Sequence, residues 1–263
     1  MEISNFVRAQ SLEEAYTLIQ KQKAFPIGGG AWSRLSPRKV ELAVDLESLG
    51  LRFIRRAGET LEIGAMTTAR DIETSVELKS AYGRLFPDTV AHIVGIQMKN
   101  IVTVGGTAAG RYGFSDLNTT LLAIDAEVSL YNEGTVRFED FLTNRSNGPV
   151  LIEKIVIPAS GCRGSFKSVR TTVNDFPILN SAAVYHKGVW RIAVGARPGA
   201  ARLSFEASKI LGSAGSPDTA MIEKAAEAAA AELSFGSDIR GDSEYRTAVC
   251  RTLVRRAVQE AAQ

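Results

Sequence analysis

Two stretches of this sequence carry residue types suited to holding an anion. Gly28-Gly29-Gly30 follows directly on the apolar residues 24–27. Three glycines there let consecutive backbone N–H groups turn inward together, with no Cβ in the way, toward a negatively charged group. A pyrophosphate is the natural occupant, and a plain turn is the alternative. The spacing is not that of the Rossmann G-x-G-x-x-G pattern, because Ala31-Trp32-Ser33 supplies no final glycine. The second stretch, Thr103-Val104-Gly105-Gly106-Thr107-Ala108-Ala109-Gly110, alternates hydroxyls, a glycine pair and small residues, as a backbone must where it approaches a ligand closely. Asp116 follows it, either as the N-cap of the next helix or as a carboxylate accepting from a ligand's sugar hydroxyls.

These stretches need elements to position them. Ser11-Leu12-Glu13-Glu14 reads as a capping box, opening a helix that ends near Lys23 with Leu12, Ala15, Leu18 and Ile19 on one face. Short strands follow at 24–27 and 40–45, so the opening segment is β-α-β in character. Residues 52–56 and 60–64 pair as a hairpin across Ala57-Gly58-Glu59. Thr67 to Asp71 offers a helix start, and helical periodicity runs through Leu78, Leu85, Val90 and Ile93 until the second glycine stretch, expected to be a loop, breaks it. A helix from Asp116 to Ile124 and strands at 126–131 and 151–157 precede the linker-like Pro158-Ala159-Ser160-Gly161. The remainder gives a strand at 165–170, a hairpin of 180–185 with 189–194, and two helices, one of them the alanine-rich 221–233. The expected division is 1–50, 51–160 and 161–263.

At 263 residues the chain is long enough for more than one core, and its composition is that of an ordinary globular protein. The net charge of +2 arises from 31 basic and 29 acidic residues without a concentrated basic face, which argues against nucleic acid as a partner. Arg52, Arg55 and Arg56, and again Arg251, Arg255 and Arg256, read as solvated faces. Cys162 and Cys250 stand far apart with no Cys or His at ligand spacing, so neither a disulfide framework nor a metal or iron–sulfur centre is expected on this chain. His92 and His186 have no acid or nucleophile arranged around them, and no catalytic side chain is assigned. No stretch approaches a membrane span, and a cytoplasmic location is expected.

The residues Gln97-Met98-Lys99-Asn100-Ile101-Val102-Thr103-Val104-Gly105-Gly106-Thr107 resemble the QIRNxGTIGGN signature of the FAD subunits of molybdenum hydroxylases. Ser115-Asp116-Leu117 and Leu121-Leu122-Ala123-Ile124-Asp125-Ala126 are similar to that family's SDL and LLALDA segments, and Gly28-Gly29-Gly30 falls where its first AGGT loop stands. Phe166 to Arg170, Asp175 and Asp238 to Arg246 extend the likeness to the C-terminal part, so it covers essentially the whole chain.

The resemblance implies an α+β protein: a two-subdomain FAD-binding region of the vanillyl-alcohol-oxidase (PCMH) type, followed by a small α+β C-terminal domain. It implies FAD contacts at Ile27, Gly28, Gly29, Gly30, Ala31 and Trp32, at Thr103, Gly105, Gly106, Thr107, Gly110 and Asp116, and at Lys167. The family includes flavin subunits of xanthine, carbon monoxide, nicotinate and aldehyde oxidoreductases. The implied partners are an iron–sulfur subunit and a molybdopterin subunit, with NAD or another acceptor taking the electrons. Ala31-Trp32 replaces the family's usual Thr-Asp or His-Ser, and Thr107 its usual Asn, which removes side-chain hydrogen bonds. Two other readings stay open: a self-sufficient flavin oxidase, and a scaffold subunit that has lost FAD.

Overall fold

The computed structural model describes residues 1–144 and 150–263. The chain divides into two compact units, and both mix helix with sheet, the α+β class expected.

The first unit comprises Met1–Ile72, Ile93–Gly110 and Glu127–Ile157. Its first sheet has three strands, with Lys39–Asp45 in the centre, parallel to Glu2–Arg8 on one side and to Phe25–Ile27 on the other. The strand Glu2–Arg8 was not expected from sequence: its largely exposed residues, EISNFVR, show no clean alternation of apolar and polar positions. The helix Leu12–Gln22 is capped by Ser11, whose Oγ accepts from the Glu14 amide at 3.1 Å, and it stops at Lys23 in the left-handed region. The second sheet orders its five strands Ile54–Ala57, Thr60–Gly64, Ile152–Pro158, Glu127–Leu130, Gly134–Arg137. The strand Gly134–Arg137 and the helix Phe138–Thr143 are further elements too short for their sequence pattern to announce. Tyr131 ties the sheet to the first helix, its hydroxyl donating to Glu13 at 3.1 Å and its ring meeting Tyr16 edge-on.

The second unit comprises Glu73–His92, Arg111–Ala126 and Pro158–Gln263. The helical run expected from Thr67 onward is in fact three short helices, Ala69–Thr74, Val76–Tyr82 and Leu85–Val90. Ser75 interrupts it by capping the Leu78 amide, and Gly83, at φ +59°, ends the middle piece. A four-stranded antiparallel sheet runs Arg202–Leu203, Val189–Gly195, Leu179–His186, Cys162–Val169. Three helices, one more than expected, bury it: Phe205–Leu211, Thr219–Glu232 and Ser243–Ala261. Ala225, Ala226 and Ala229 let the middle helix approach closely, and they pack in one core with Trp190, Ile192, Cys250 and Val254.

The stretch expected to be a linker is 158–161. Pro158 closes a strand, Ala159 is buried, and the Tyr82 hydroxyl donates to the Pro158 carbonyl at 2.7 Å. Tyr82→Phe is expected to cost about 1 kcal/mol in urea unfolding by leaving that carbonyl without its donor; an unchanged midpoint would show that the bond contributes nothing. The two arginine clusters are ion-paired, Arg52 with Asp71 at 2.8 Å and Arg251 with Glu227 at 2.6 Å. Among the described residues no helix is long and apolar enough to cross a membrane.

Candidate functional site

The first unit brings the two glycine stretches together. The Thr103 hydroxyl lies between them: a Cβ placed on Gly28 or on Gly106 would sit 2.8 Å from Thr103 Oγ1 in either case. Gly29 approaches more closely still, since a Cβ there would stand 1.7 Å from the carbonyl oxygen of Ile101. The absent side chain of Gly29 is therefore used to seat one backbone segment on the other. Gly30 is different: its φ of +66° places it in the left-handed region, and a Cβ would meet nothing nearer than Ile27 Cγ2 at 3.9 Å. Ala31 and Trp32 turn from there into the short 3-10 segment Ser33–Leu35, where the Arg34 amide donates to the Gly30 carbonyl at 3.2 Å and Trp32 is exposed.

The second stretch is not the loop expected from its glycines, because Val104–Gly110 is helical. Glycine disfavours helix, so a specific contact must compensate. At Gly105 the contact is visible: its amide donates to the Ala65 carbonyl at 2.8 Å, and a Cβ would fall 2.7 Å from the Ala65 Cβ. Val104 and Ala69 tie the same region down, with Val104 N–H donating to Thr67 at 2.9 Å and Ala69 N–H to Val102 at 2.8 Å. Thr103 closes the first turn, its carbonyl accepting from the Thr107 amide at 2.9 Å and its hydroxyl from the Gly106 amide at 3.2 Å. Sequence reasoning missed Ala65, Thr67 and Ile101 as partners, since nothing in their types marks a carbonyl as a seat.

This arrangement fits an anionic group. Among the described residues the N–H groups of Gly29, Gly30 and Ala31 donate to no backbone carbonyl, so the first stretch keeps consecutive donors for a ligand. Thr103 and Thr107 set hydroxyls in the facing stretch, and Gly110 ends its helix.

Asp116 and Lys167 belong to the second unit. Asp116 is not the helix cap: Ser115 is, its Oγ accepting from the Asn118 amide at 3.1 Å, and Asp116 opens the helix Asp116–Ala123. Serine and aspartate stand side by side there, and both favour the N-cap, so their types alone did not decide between them. The Asp116 carboxylate is ion-paired with Arg170 and accepts from Asn180 Nδ2 at 2.7 Å. Burial pushes its carboxyl above the ordinary range, and the charge of Arg170 and the bonds from Asn180 and Arg170 oppose that push. Lys167 is ion-paired with Glu260 of the last helix. Sequence reasoning did not pair Arg170 or Asn180 with Asp116: Arg170 follows the strand Cys162–Val169 and Asn180 lies in the strand Leu179–His186.

Known proteins match both parts of the chain. Residues 2–160, more than half of the chain, match the family described as FAD binding domain in molybdopterin dehydrogenase. Residues 164–261 match the CO dehydrogenase flavoprotein C-terminal domain. The nicotine 6-hydroxylase medium subunit of Paenarthrobacter nicotinovorans is 28% identical over 276 residues, covering 95% of this chain and 94% of that protein. The carbon monoxide dehydrogenase medium chain of Hydrogenophaga pseudoflava is 29% identical over 227 residues, covering 80% of this chain and 78% of its own. A solved structure, reconstituted CO dehydrogenase from Oligotropha carboxidovorans, superposes with a TM-score of 0.88 at 26% identity, covering 100% of this chain and 98% of that one. The chain belongs to the FAD-binding family of the molybdopterin dehydrogenases: it is a flavin medium subunit of the molybdenum hydroxylase type, and FAD is its cofactor.

Proposed function

We propose that this chain relays electrons within a multi-subunit oxidoreductase, from an iron–sulfur partner fed by a molybdopterin partner to NAD or another acceptor in the cytoplasm. The observation that carries it is the convergence of Gly28 and Gly106 on the single hydroxyl of Thr103, with the Gly29, Gly30 and Ala31 amides left uncommitted beside it. The flavin supplies the electron chemistry when bound, and the protein supplies binding and orientation.

We assign the diphosphate of FAD to the amides of Gly28, Gly29, Gly30, Ala31 and Trp32, following the strand end at Ile27. Thr103, Gly105, Gly106, Thr107 and Gly110 are assigned to its other side. Asp116 is a further acceptor for flavin hydroxyls, and Lys167 a cationic contact already balanced by Glu260. No side chain acts as acid or base in this scheme. The substrate of the complex, which we read as xanthine or another purine, binds on the molybdopterin partner.

Purified chain supplemented with FAD is expected to retain it through desalting, with flavin bands at roughly 375 and 450 nm. A colourless protein after that treatment would overturn the relay and leave the scaffold reading, which rests on Ala31, Trp32 and Thr107 replacing the family's usual residues. Oxygen-dependent oxidation of an alcohol or amine by the isolated chain would instead establish the self-sufficient oxidase.

A further inference from the structure

The carboxylate of Asp116 is held from two sides by the sheet of its own unit. Arg170 donates to Oδ2 and Asn180 Nδ2 to Oδ1, and neither donor is free to move away. The Arg170 guanidinium is almost fully buried and is fixed by donating to the Asp175 carbonyl at 2.8 Å and to Ser168 Oγ at 3.3 Å. Asn180 is completely buried, and its Oδ1 accepts from the Thr119 hydroxyl at 2.9 Å, one turn further along the helix that Asp116 opens. The neighbouring strand leaves room for this set by carrying a glycine: a Cβ on Gly195 would lie 2.1 Å from Thr119 Oγ1 and 2.5 Å from Asn180 Oδ1.

Helix capping does not require the arrangement, since Ser115 performs it. Net stability does not explain the choice of these residues either, because a buried ion pair gains about as much as apolar residues of the same volume would, even though removing one partner alone is costly. A carboxylate has about four lone-pair sites, so two remain after Arg170 and Asn180 are served.

We infer that Arg170 and Asn180 are positioning residues, which fix the Asp116 carboxylate in one orientation so that its remaining lone pairs accept a hydroxyl of bound FAD. The inference rests on the assignment of Asp116 as a flavin contact. A preset acceptor binds without first giving up side-chain freedom, so loosening its supports weakens the ligand even though they never touch it.

The test is FAD affinity, by titration of flavin-free full chain, for wild type, D116N, R170M, R170K, N180S and the D116N/R170M double variant. Melting of each flavin-free chain serves as the fold control. D116N and R170M are each expected to weaken FAD by roughly tenfold. R170K should recover most of the loss. The double variant should bind within about twofold of D116N alone, because Arg170 acts only through Asp116. Losses that add in the double variant would show Arg170 acting through the fold at large, and would overturn the inference. So would R170M and N180S binding normally while D116N does not, a result that leaves Asp116 as a contact. Wild-type affinity in D116N would remove Asp116 from the site and the inference with it, yet leave FAD binding standing; a wild type that binds no FAD would end both. R170K and N180S carry the test if R170M fails to fold.

Discussion

Gly29→Ala is expected to weaken FAD retention severely, whereas Gly30→Ala, one residue away, is expected to leave most of it. A Cβ on Gly29 would stand 1.7 Å from the Ile101 oxygen, 2.6 Å from its carbonyl carbon and 2.9 Å from its Cα. These are backbone atoms, so no rotamer change relieves the clash, and one segment must withdraw. The Ile101 segment is anchored on both sides, its own amide donating to Met98 at 3.1 Å and the Val102 carbonyl accepting from Ala69 at 2.8 Å. The Gly28 segment therefore moves, and its amides leave the place where a diphosphate would meet them. Overpacking of this kind costs about 1–3 kcal/mol, and the displaced donors should weaken FAD by more than about tenfold, each 1.4 kcal/mol being one such factor. At Gly30 the space is open and only the left-handed φ of +66° opposes a side chain, a cost of about 1 kcal/mol. Denaturant unfolding and flavin content of the two variants check this. Equal behaviour of the two would show that Gly29 does not seat the first segment on the second.

In sequence these two glycines are indistinguishable, and that marks how far the sequence can be read. Local signals were legible: the Ser11 cap, the turn between Ile54–Ala57 and Thr60–Gly64, and the hairpin of Leu179–His186 with Val189–Gly195 each follow from a few adjacent residues. The glycine stretches were legible as places of close approach, but not what approaches them. Gly105 reads as a loop residue because glycine is a poor helix former, yet it lies in a helix because the Ala65 backbone lies against it. The strand Glu2–Arg8 escaped because parallel pairing to Lys39–Asp45 decides it, not its own pattern. Asp116 reads in sequence as a helix start or a ligand group, but its partners stand at positions 170 and 180, and a pairing across that separation leaves no local trace.

Arg246 is the extreme case of the same difficulty, and its removal is expected to have the largest effect on the second unit. In sequence it ends Ser243-Glu244-Tyr245-Arg246, part of the stretch that carries the family likeness, and nothing in that stretch marks it as buried. In the structure it is fully buried. Its Nε donates to the Ile178 carbonyl at 2.9 Å, one terminal nitrogen to the carbonyls of Gly236, at 2.8 Å, and Gly241, and the other to Asp238 at 2.6 Å. The segment between Thr219–Glu232 and Ser243–Ala261 has little regular structure of its own, so this guanidinium supplies donors that a helix or sheet would otherwise supply. Burial pushes the Asp238 carboxyl up, but the hydrogen bond and charge of Arg246, with the Arg240 and Gly241 amides, outweigh it and hold the carboxyl below its ordinary range. Arg246→Met is expected to cost about 3–5 kcal/mol in urea unfolding near neutral pH, since three carbonyls and a carboxylate lose this donor together, Gly241 keeping the Asp238 amide and Asp238 the Arg240 amide. Arg246→Lys should rescue little, because an ammonium offers three donors from one point where the fork of a guanidinium offers five. The contribution of a depressed carboxyl is present above its unfolded pKa and is lost as pH falls through the folded one. The gap between wild type and Arg246→Met should therefore narrow below about pH 4. A loss under about 1 kcal/mol at neutral pH would mean that water or neighbouring amides satisfy these carbonyls as well as Arg246 does.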